Sequence, residues 1–125
     1  MKLIAMIVLT ALSGSLSAAP SLDYAQAKAL ADKDEASLAP AELESLHQTQ
    51  RAVLDAGTAA CATPRPDLSP FVVVMELDGE GKIVNTWLQG SSPIGICLRK
   101  YIGDKTLMVP PRVPFYSSLE LSFSK

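Results

Sequence analysis

The stretch that most restricts the fold is "FVVVMELDGEGKIVNTWLQ", residues 71–89. Its first eight residues are almost continuously apolar and rich in β-branched side chains, which is typical of a central strand covered on at least one face. "DGEG" (78–81) predicts a tight turn, and "KIVNTWLQ" (82–89) predicts a second, more polar strand. We therefore expect a β-hairpin. Two assignments of the second strand's buried face stay open: Ile83 with Trp87, or Val84 with Leu88.

The residues after the hairpin predict a short helix and a last strand. Ser92 and Pro93 are a helix cap and a first helical residue, and Gly103 ends the helix. From Phe115 the chain alternates with period two, which predicts a strand with one wet face. The inner face would hold Phe115, Ser117, Leu119, Leu121 and Phe123. The outer face would hold Tyr116, Ser118, Glu120, Ser122 and Ser124.

Two helices are expected before the hairpin. The first covers residues 21–33 with Ser21 as its N-cap, and the second runs from Pro40 to a stop at Gly57. A helical stripe marks the second helix: Leu43, Leu46, Gln50, Val53 and Leu54. Prolines keep residues 58–70 extended.

The order of these elements predicts an α+β fold in which N-terminal helices precede a β-β-α-β unit. The three strands form an antiparallel sheet with residues 71–78 in the middle and the helices on one face. We expect a helical segment over residues 19–60 and the β-β-α-β domain over 61–125, packed as one compact unit.

The first 18 residues predict a cleavable signal peptide that exports the chain to the periplasm. A lysine precedes a ten-residue apolar run, Leu3–Leu12, which is too short to span a bilayer stably, and small residues follow. Cleavage is expected after Ala18, since a cut after Ala19 would place Pro20 next to it; an uncleaved anchor is the alternative. Of 125 residues, 107 would remain, enough for one small domain without a membrane span.

The chain has two cysteines, Cys61 and Cys97. An even number of cysteines in a protein of an oxidising compartment indicates pairing, so we expect one disulfide between them. A reactive thiol is the alternative. No basic stripe with interleaved aromatic residues suggests nucleic-acid binding.

The stretch "VVVMELDGEGKIVNTWLQGSSPIGICLRKYIGDKTLMVPPRVPFYSSLELSF" resembles the C-terminal domain of TonB and its relatives over about residues 68–124. That family places a strand before a "dG.v" turn, then a strand, a helix, "P.P" and a last strand. The resemblance implies that a partner's strand adds to the exposed last strand, here Phe115 to Phe123. The chain departs from the family in lacking the "YP..A" entry helix, the proline-rich spacer and a retained anchor, and in having two cysteines, so an energy-transducing role is not expected.

No catalytic, cofactor or metal motif is found. His47 is the sole histidine and lacks zinc-ligand spacing, and no nucleophile turn or phosphate loop occurs. We therefore expect a non-enzymatic protein-interaction module without a cofactor. Its candidate partner-binding edge consists of Phe115, Tyr116, Ser118, Glu120 and Ser122. The alternatives are a periplasmic inhibitor or immunity-type protein and an enzyme using His47 or a free cysteine.

Overall fold

A computed structural model describes residues 21–123, and the predicted signal peptide lies outside this range. Six elements follow one another. They are α1 (Tyr24–Ala36), α2 (Pro40–Cys61), β1 (Phe71–Leu77), β2 (Ile83–Gln89), α3 (Pro93–Ile102) and β3 (Phe115–Leu121). The strands form one antiparallel sheet in the order β2-β1-β3. The predicted α+β class, the hairpin and the central position of β1 are confirmed.

The larger core lies between the sheet and the helices α2 and α3. It includes Phe71, Val73, Met75 and Leu77, the alternate residues of β1, all at most 2% exposed. Leu46 of α2 and the residues Leu98 and Ile102 of α3 contribute fully buried side chains to the same cluster. The apolar stripe predicted for α2 therefore faces the sheet, as do the buried residues of α3.

The expectation that the helices cover one face of the sheet is wrong for α1. Ala27 and Ala31 of α1 are fully buried against Val74 and Tyr116, on the face opposite to α2 and α3. The buried apolar residues of α1 are small alanines, which allow the helix to approach the strands closely. Tyr116 is consequently buried, and not on a wet face as predicted.

Strand β2 contains an irregularity that the sequence did not reveal. Glu76 pairs with Asn85, but its neighbour Leu77 pairs with Ile83, so Val84 bulges out of register and is 45% exposed. A bulge reverses the alternation of side chains along a strand. Ile83 therefore faces the larger core while Trp87 faces α1, and neither predicted assignment of the buried face is correct.

Helix α2 continues four residues beyond its predicted end. Gly57 is buried inside the helix, where an added Cβ would lie 2.5 Å from Leu98 Cδ1 and 2.9 Å from Tyr101 Cδ1. Glycine at this position therefore allows α2 and α3 to pack closely and does not end the helix.

The predicted disulfide between Cys61 and Cys97 is present. Because α2 ends at Cys61, the bond joins the end of α2 to α3. From the sequence we expected Cys61 in the extended segment 58–70 and not in a helix, so the partners are as predicted but the elements that they join differ.

Helix α1 begins two residues later than predicted. Asp23, and not Ser21, is the N-cap; its carboxylate accepts a hydrogen bond from the Gln26 N–H, and the Gln26 side chain accepts one from the Asp23 N–H. The predicted cap of α3 is confirmed, since the Ser92 hydroxyl accepts from the Gly95 N–H.

Candidate functional site

The β3 edge is the candidate site that the sequence predicted. Neighbouring residues of an antiparallel strand direct their main-chain groups alternately toward one side and the other. The main-chain groups of Tyr116, Ser118 and Glu120 point away from β1, because the N–H groups of Tyr116 and Ser118 donate to side chains outside the sheet. Along β3 these three residues therefore form the outer edge of the sheet.

The last turn of α1 and the middle of α2 occupy the first half of this edge. The Tyr116 N–H donates to Asp34 Oδ2 at 2.9 Å, and the Ser118 N–H donates to Glu35 Oε1 at 3.0 Å. Gln50 of α2 donates through Nε2 to the Ser118 carbonyl oxygen at 3.2 Å. Since α1 and α2 lie on opposite faces, their connection passes around the edge here, and the two helices supply these partners.

A buried hydrogen-bond network holds in place the side chains that cap the β3 edge, namely those of Asp34, Glu35 and Gln50. The Ser117 hydroxyl is fully buried; it donates to Glu35 Oε1 at 2.7 Å and accepts from Gln50 Nε2 at 2.6 Å. Arg112 donates to Asp34 Oδ1 at 2.9 Å and so neutralises this carboxylate, which is 8% exposed. Each capping group is thus oriented by at least one further hydrogen bond, which makes the first half of the edge a fixed structure.

The second half of the β3 edge is open. Outside the sheet ladder, no hydrogen bond among residues 21–123 involves the N–H or C=O of Glu120, and Glu120 and Ser122 are exposed. The Glu120 side chain turns toward α1, where it forms a 2.9 Å salt bridge with Lys28. A shallow groove of about 260 Å³ runs along this part of the edge; it is lined by His47, Gln50, Arg51, Leu54, Ser118, Leu119 and Glu120.

The opposite edge of the sheet is better covered. At the start of β2, the Ile83 N–H donates to the Lys105 carbonyl, and the Gly81 carbonyl accepts from the Leu107 N–H. Further along, Arg99 Nη2 donates to the Thr86 carbonyl at 2.9 Å. Residues 105–107 and Arg99 therefore protect β2, so the open half of β3 is the more available edge for pairing.

The five residues predicted for the edge divide into two groups. Phe115 is fully buried in the larger core and Tyr116 is 7% exposed, so their side chains are not presented at the surface. Ser118 is half-buried and already bonded, whereas Glu120 and Ser122 are accessible. The structure adds Asp34, Glu35 and Gln50, which the sequence analysis did not assign to the site. The one available signal was Gln50, a polar residue inside an otherwise apolar helical stripe.

The pKa shifts of three groups around α1 share one direction. Burial raises the pKa of the Tyr116 hydroxyl, and the neighbouring Glu76 carboxylate raises it further. Burial also raises the pKa of Tyr24. Hydrogen bonds to Asp32 and then Glu120 raise the pKa of Lys28 above its ordinary value. All three shifts favour the protonated form in the folded protein.

The other residues considered for chemistry are placed as follows. His47 is exposed on α2 beside the β3 groove. Both cysteines are in the disulfide, so a free-thiol mechanism is not available in this structure. Within residues 21–123 we find no group of three or more potential metal ligands, and no helix there is long and apolar enough to cross a membrane.

No family model, curated protein or solved structure matches this chain. The likeness to the TonB C-terminal domain therefore stays a prediction.

Proposed function

We propose that this chain is an exported, non-enzymatic module that binds a partner protein by pairing an extended segment with the second half of the β3 edge. The observation that carries the proposal is the difference between the two halves of β3. Tyr116 and Ser118 have their outward N–H groups bonded within the chain, whereas the outward groups of Glu120 have no such partner in residues 21–123. An unpaired strand edge beside a groove is a common docking site for an extended peptide.

The groove between β3 and α2 supports the same proposal. A strand added beside Glu120 would lie next to the exposed side chains of His47 and Arg51. Such flanking side chains could give sequence preference to a contact whose affinity comes from main-chain hydrogen bonds. The order β2-β1-β3, which leaves the last strand at an edge, is also what the TonB likeness implies.

Export to the periplasm is part of the proposal. The charged start and apolar run of residues 1–12 and the Cys61–Cys97 disulfide both support it, because disulfides persist in oxidising compartments. Mass spectrometry of the protein purified from the periplasm should find a chain that starts at Ala19. An intact Met1 on periplasmic or membrane-bound material would contradict cleavage.

A matched pair of substitutions tests the edge. Glu120→Pro removes the outward N–H and places a ring on the open edge without removing a hydrogen bond to β1, whereas Glu120→Ala keeps the N–H. Wild type, Glu120→Ala and Glu120→Pro would each be immobilised and used to capture proteins from a periplasmic extract. We expect at least one protein to bind the first two and to be lost with Glu120→Pro.

Two results separate the edge from a general loss of structure. Thermal unfolding must show that Glu120→Pro is still folded at the capture temperature. If the folded Glu120→Pro protein retains every captured protein, edge pairing is wrong. If Glu120→Ala loses them equally, the carboxylate and not the main chain is the contact, which also contradicts the proposal.

A further inference from the structure

The second face of the sheet carries a groove that is separate from the β3 edge. Helix α1 covers this face mainly above β3 and β1, so the residues of β2 on the same side are only partly covered: Asn85 is exposed and Trp87 is half-buried. The resulting α1-side groove has a volume of about 700 Å³. It is lined by Ser21, Leu22, Leu30, Asp34, Glu76, Asn85, Thr86, Trp87, Pro114 and Tyr116. This volume lies in the range of small-molecule sites.

The groove contains a carboxylate that no basic side chain among residues 21–123 pairs with. Among the described residues, its lining contains two carboxylates and no lysine or arginine. Asp34 is paired with Arg112 and with the Tyr116 N–H. Glu76 accepts a hydrogen bond from the Tyr116 hydroxyl at 3.2 Å, but within residues 21–123 it forms no salt bridge. A half-buried carboxylate with one neutral donor favours an added cation.

Two aromatic rings stand beside this carboxylate. Trp87 and Tyr116 have ring centroids 6.0 Å apart with planes inclined at 48°, and both lie on the α1 side of the sheet. The indole N–H of Trp87 donates to the Leu22 carbonyl oxygen at 2.8 Å. Because this bond uses the one polar group of the indole, Trp87 can offer a ligand only apolar edges and the π face, and a tryptophan face attracts cations better than any other side-chain ring.

We propose that the α1-side groove binds an organic cation, namely an alkylammonium or guanidinium group carried on an apolar stem. Glu76 accepts hydrogen bonds from the cationic group, and the Asn85 amide oxygen, across the strand pair from Glu76, accepts another. Trp87 and Leu30 contact the stem. The cation can belong to a free amine or to a lysine or arginine side chain, and the test below distinguishes these sources. The proposal does not depend on the β3 edge.

The protein supplies its own reporter for this test, because Trp87 is the sole tryptophan of the chain. Its fluorescence would be followed during titration with hexylammonium chloride. Hexan-1-ol, which has the same stem without the charge, is the neutral comparison, and sodium chloride controls for ionic strength. A five-residue alanine peptide with a central lysine and blocked ends provides the side-chain form of the same cation.

We expect hexylammonium to bind at least tenfold more tightly than hexan-1-ol. Glu76→Gln should reduce hexylammonium affinity at least tenfold and leave hexan-1-ol unchanged. The matched control is Glu80→Gln, which removes an exposed carboxylate from the turn between β1 and β2 and should change neither. Tighter binding of the lysine peptide than of hexylammonium would assign the site to a side chain of a partner, and the reverse would assign it to free amines.

Three results would overturn the proposal. They are equal affinity for hexylammonium and hexan-1-ol, an unchanged Trp87 signal with both cations, and a Glu76→Gln variant that is folded and binds hexylammonium as tightly as wild type. Circular dichroism of each variant at the titration temperature establishes that it is folded.

Discussion

At the scale of single residues, a few side chains whose local sequence pattern indicates no special role determine how the helices and strands pack. Gln50 reads as an interruption of an apolar stripe, yet it bonds Ser117 and the Ser118 carbonyl. Gly57 reads as a helix stop, yet it is a contact point between two helices. Both roles depend on residues that are far away in the chain, so local pattern alone could not have assigned them.

Gly57→Ala should destabilise the protein, although alanine is the better helix former by roughly 1 kcal/mol. The new methyl would overlap Leu98 Cδ1, and Leu98 is fully buried, so it has little room to move. Overpacking costs roughly 1–3 kcal/mol, and we expect a net loss of about 1 kcal/mol in the free energy of unfolding. Urea denaturation measures this value.

Gly79→Ala is the matched control for this substitution. Its added Cβ would meet only Val113 Cγ2, at 3.6 Å, which is ordinary contact. A Gly57→Ala variant as stable as wild type would show that α2 and α3 can separate without loss, and the close-packing role of Gly57 would then be wrong.

At the scale of elements, the helices are attached to the sheet in two different ways. Helices α2 and α3 share the larger core and are joined by the Cys61–Cys97 disulfide. Helix α1 lies on the other face, held by small apolar contacts, by the salt bridge of Lys28 to Glu120 and by the hydrogen bonds of Asp34 and Glu35 to β3. The covalent link therefore stabilises one layer of the molecule directly and α1 only through the sheet.

Removing the disulfide should lower the free energy of unfolding substantially. The cysteines are 36 positions apart, and closing a loop of that length contributes roughly 4 kcal/mol in the chain-entropy model. We expect the double variant Cys61→Ser with Cys97→Ser to lose about 2–4 kcal/mol in urea denaturation. Comparing the free energies of unfolding of reduced and oxidised wild type measures the contribution of the same bond a second time.

The double variant and the reduced wild type should have similar free energies of unfolding, because both lack the Cys61–Cys97 bond. If both are as stable as the oxidised protein, the bond contributes nothing to folding, and the prediction is wrong.

At the scale of the whole molecule, the sequence predicted the sheet better than it predicted the arrangement of the helices around it. The hairpin, the order of the strands and the disulfide pair follow from local patterns and from connectivity. The location of α1 on the second face does not follow from local patterns, because the small alanine side chains of α1 would fit against either face. The bulge at Val84 was also missed, since it follows from the pairing with Glu76 and Leu77 and not from the residues of β2 alone.

The stability of the whole molecule should decrease at alkaline pH. The pKa values of Tyr24, Tyr116 and Lys28 are all raised in the folded state. Each group therefore contributes stability that is fully present below its unfolded pKa and is lost as the pH rises through the folded pKa. The ordinary values are 10.0 for tyrosine and 10.5 for lysine, so we expect the free energy of unfolding to fall above about pH 10.

Tyr116→Phe isolates one contribution to this pH dependence. The variant lacks the ionisable hydroxyl, so its free energy of unfolding should fall less between pH 9 and pH 11 than that of wild type. Urea denaturation at several pH values measures both slopes. Equal slopes would show that Tyr116 does not contribute.

The carboxylates of Asp34 and Glu35, which bond the first half of β3, compete with any ligand strand for this edge. Asp34 and Glu35 are tethered a few residues from the turn between α1 and α2, so their effective concentration at the Tyr116 and Ser118 N–H groups is high. A ligand strand that spans all of β3 must displace these internal competitors, and its apparent affinity is reduced by the free energy of that displacement. A shorter ligand, paired only beyond Ser118, avoids this cost, so the molecule selects its ligands by length as well as by sequence.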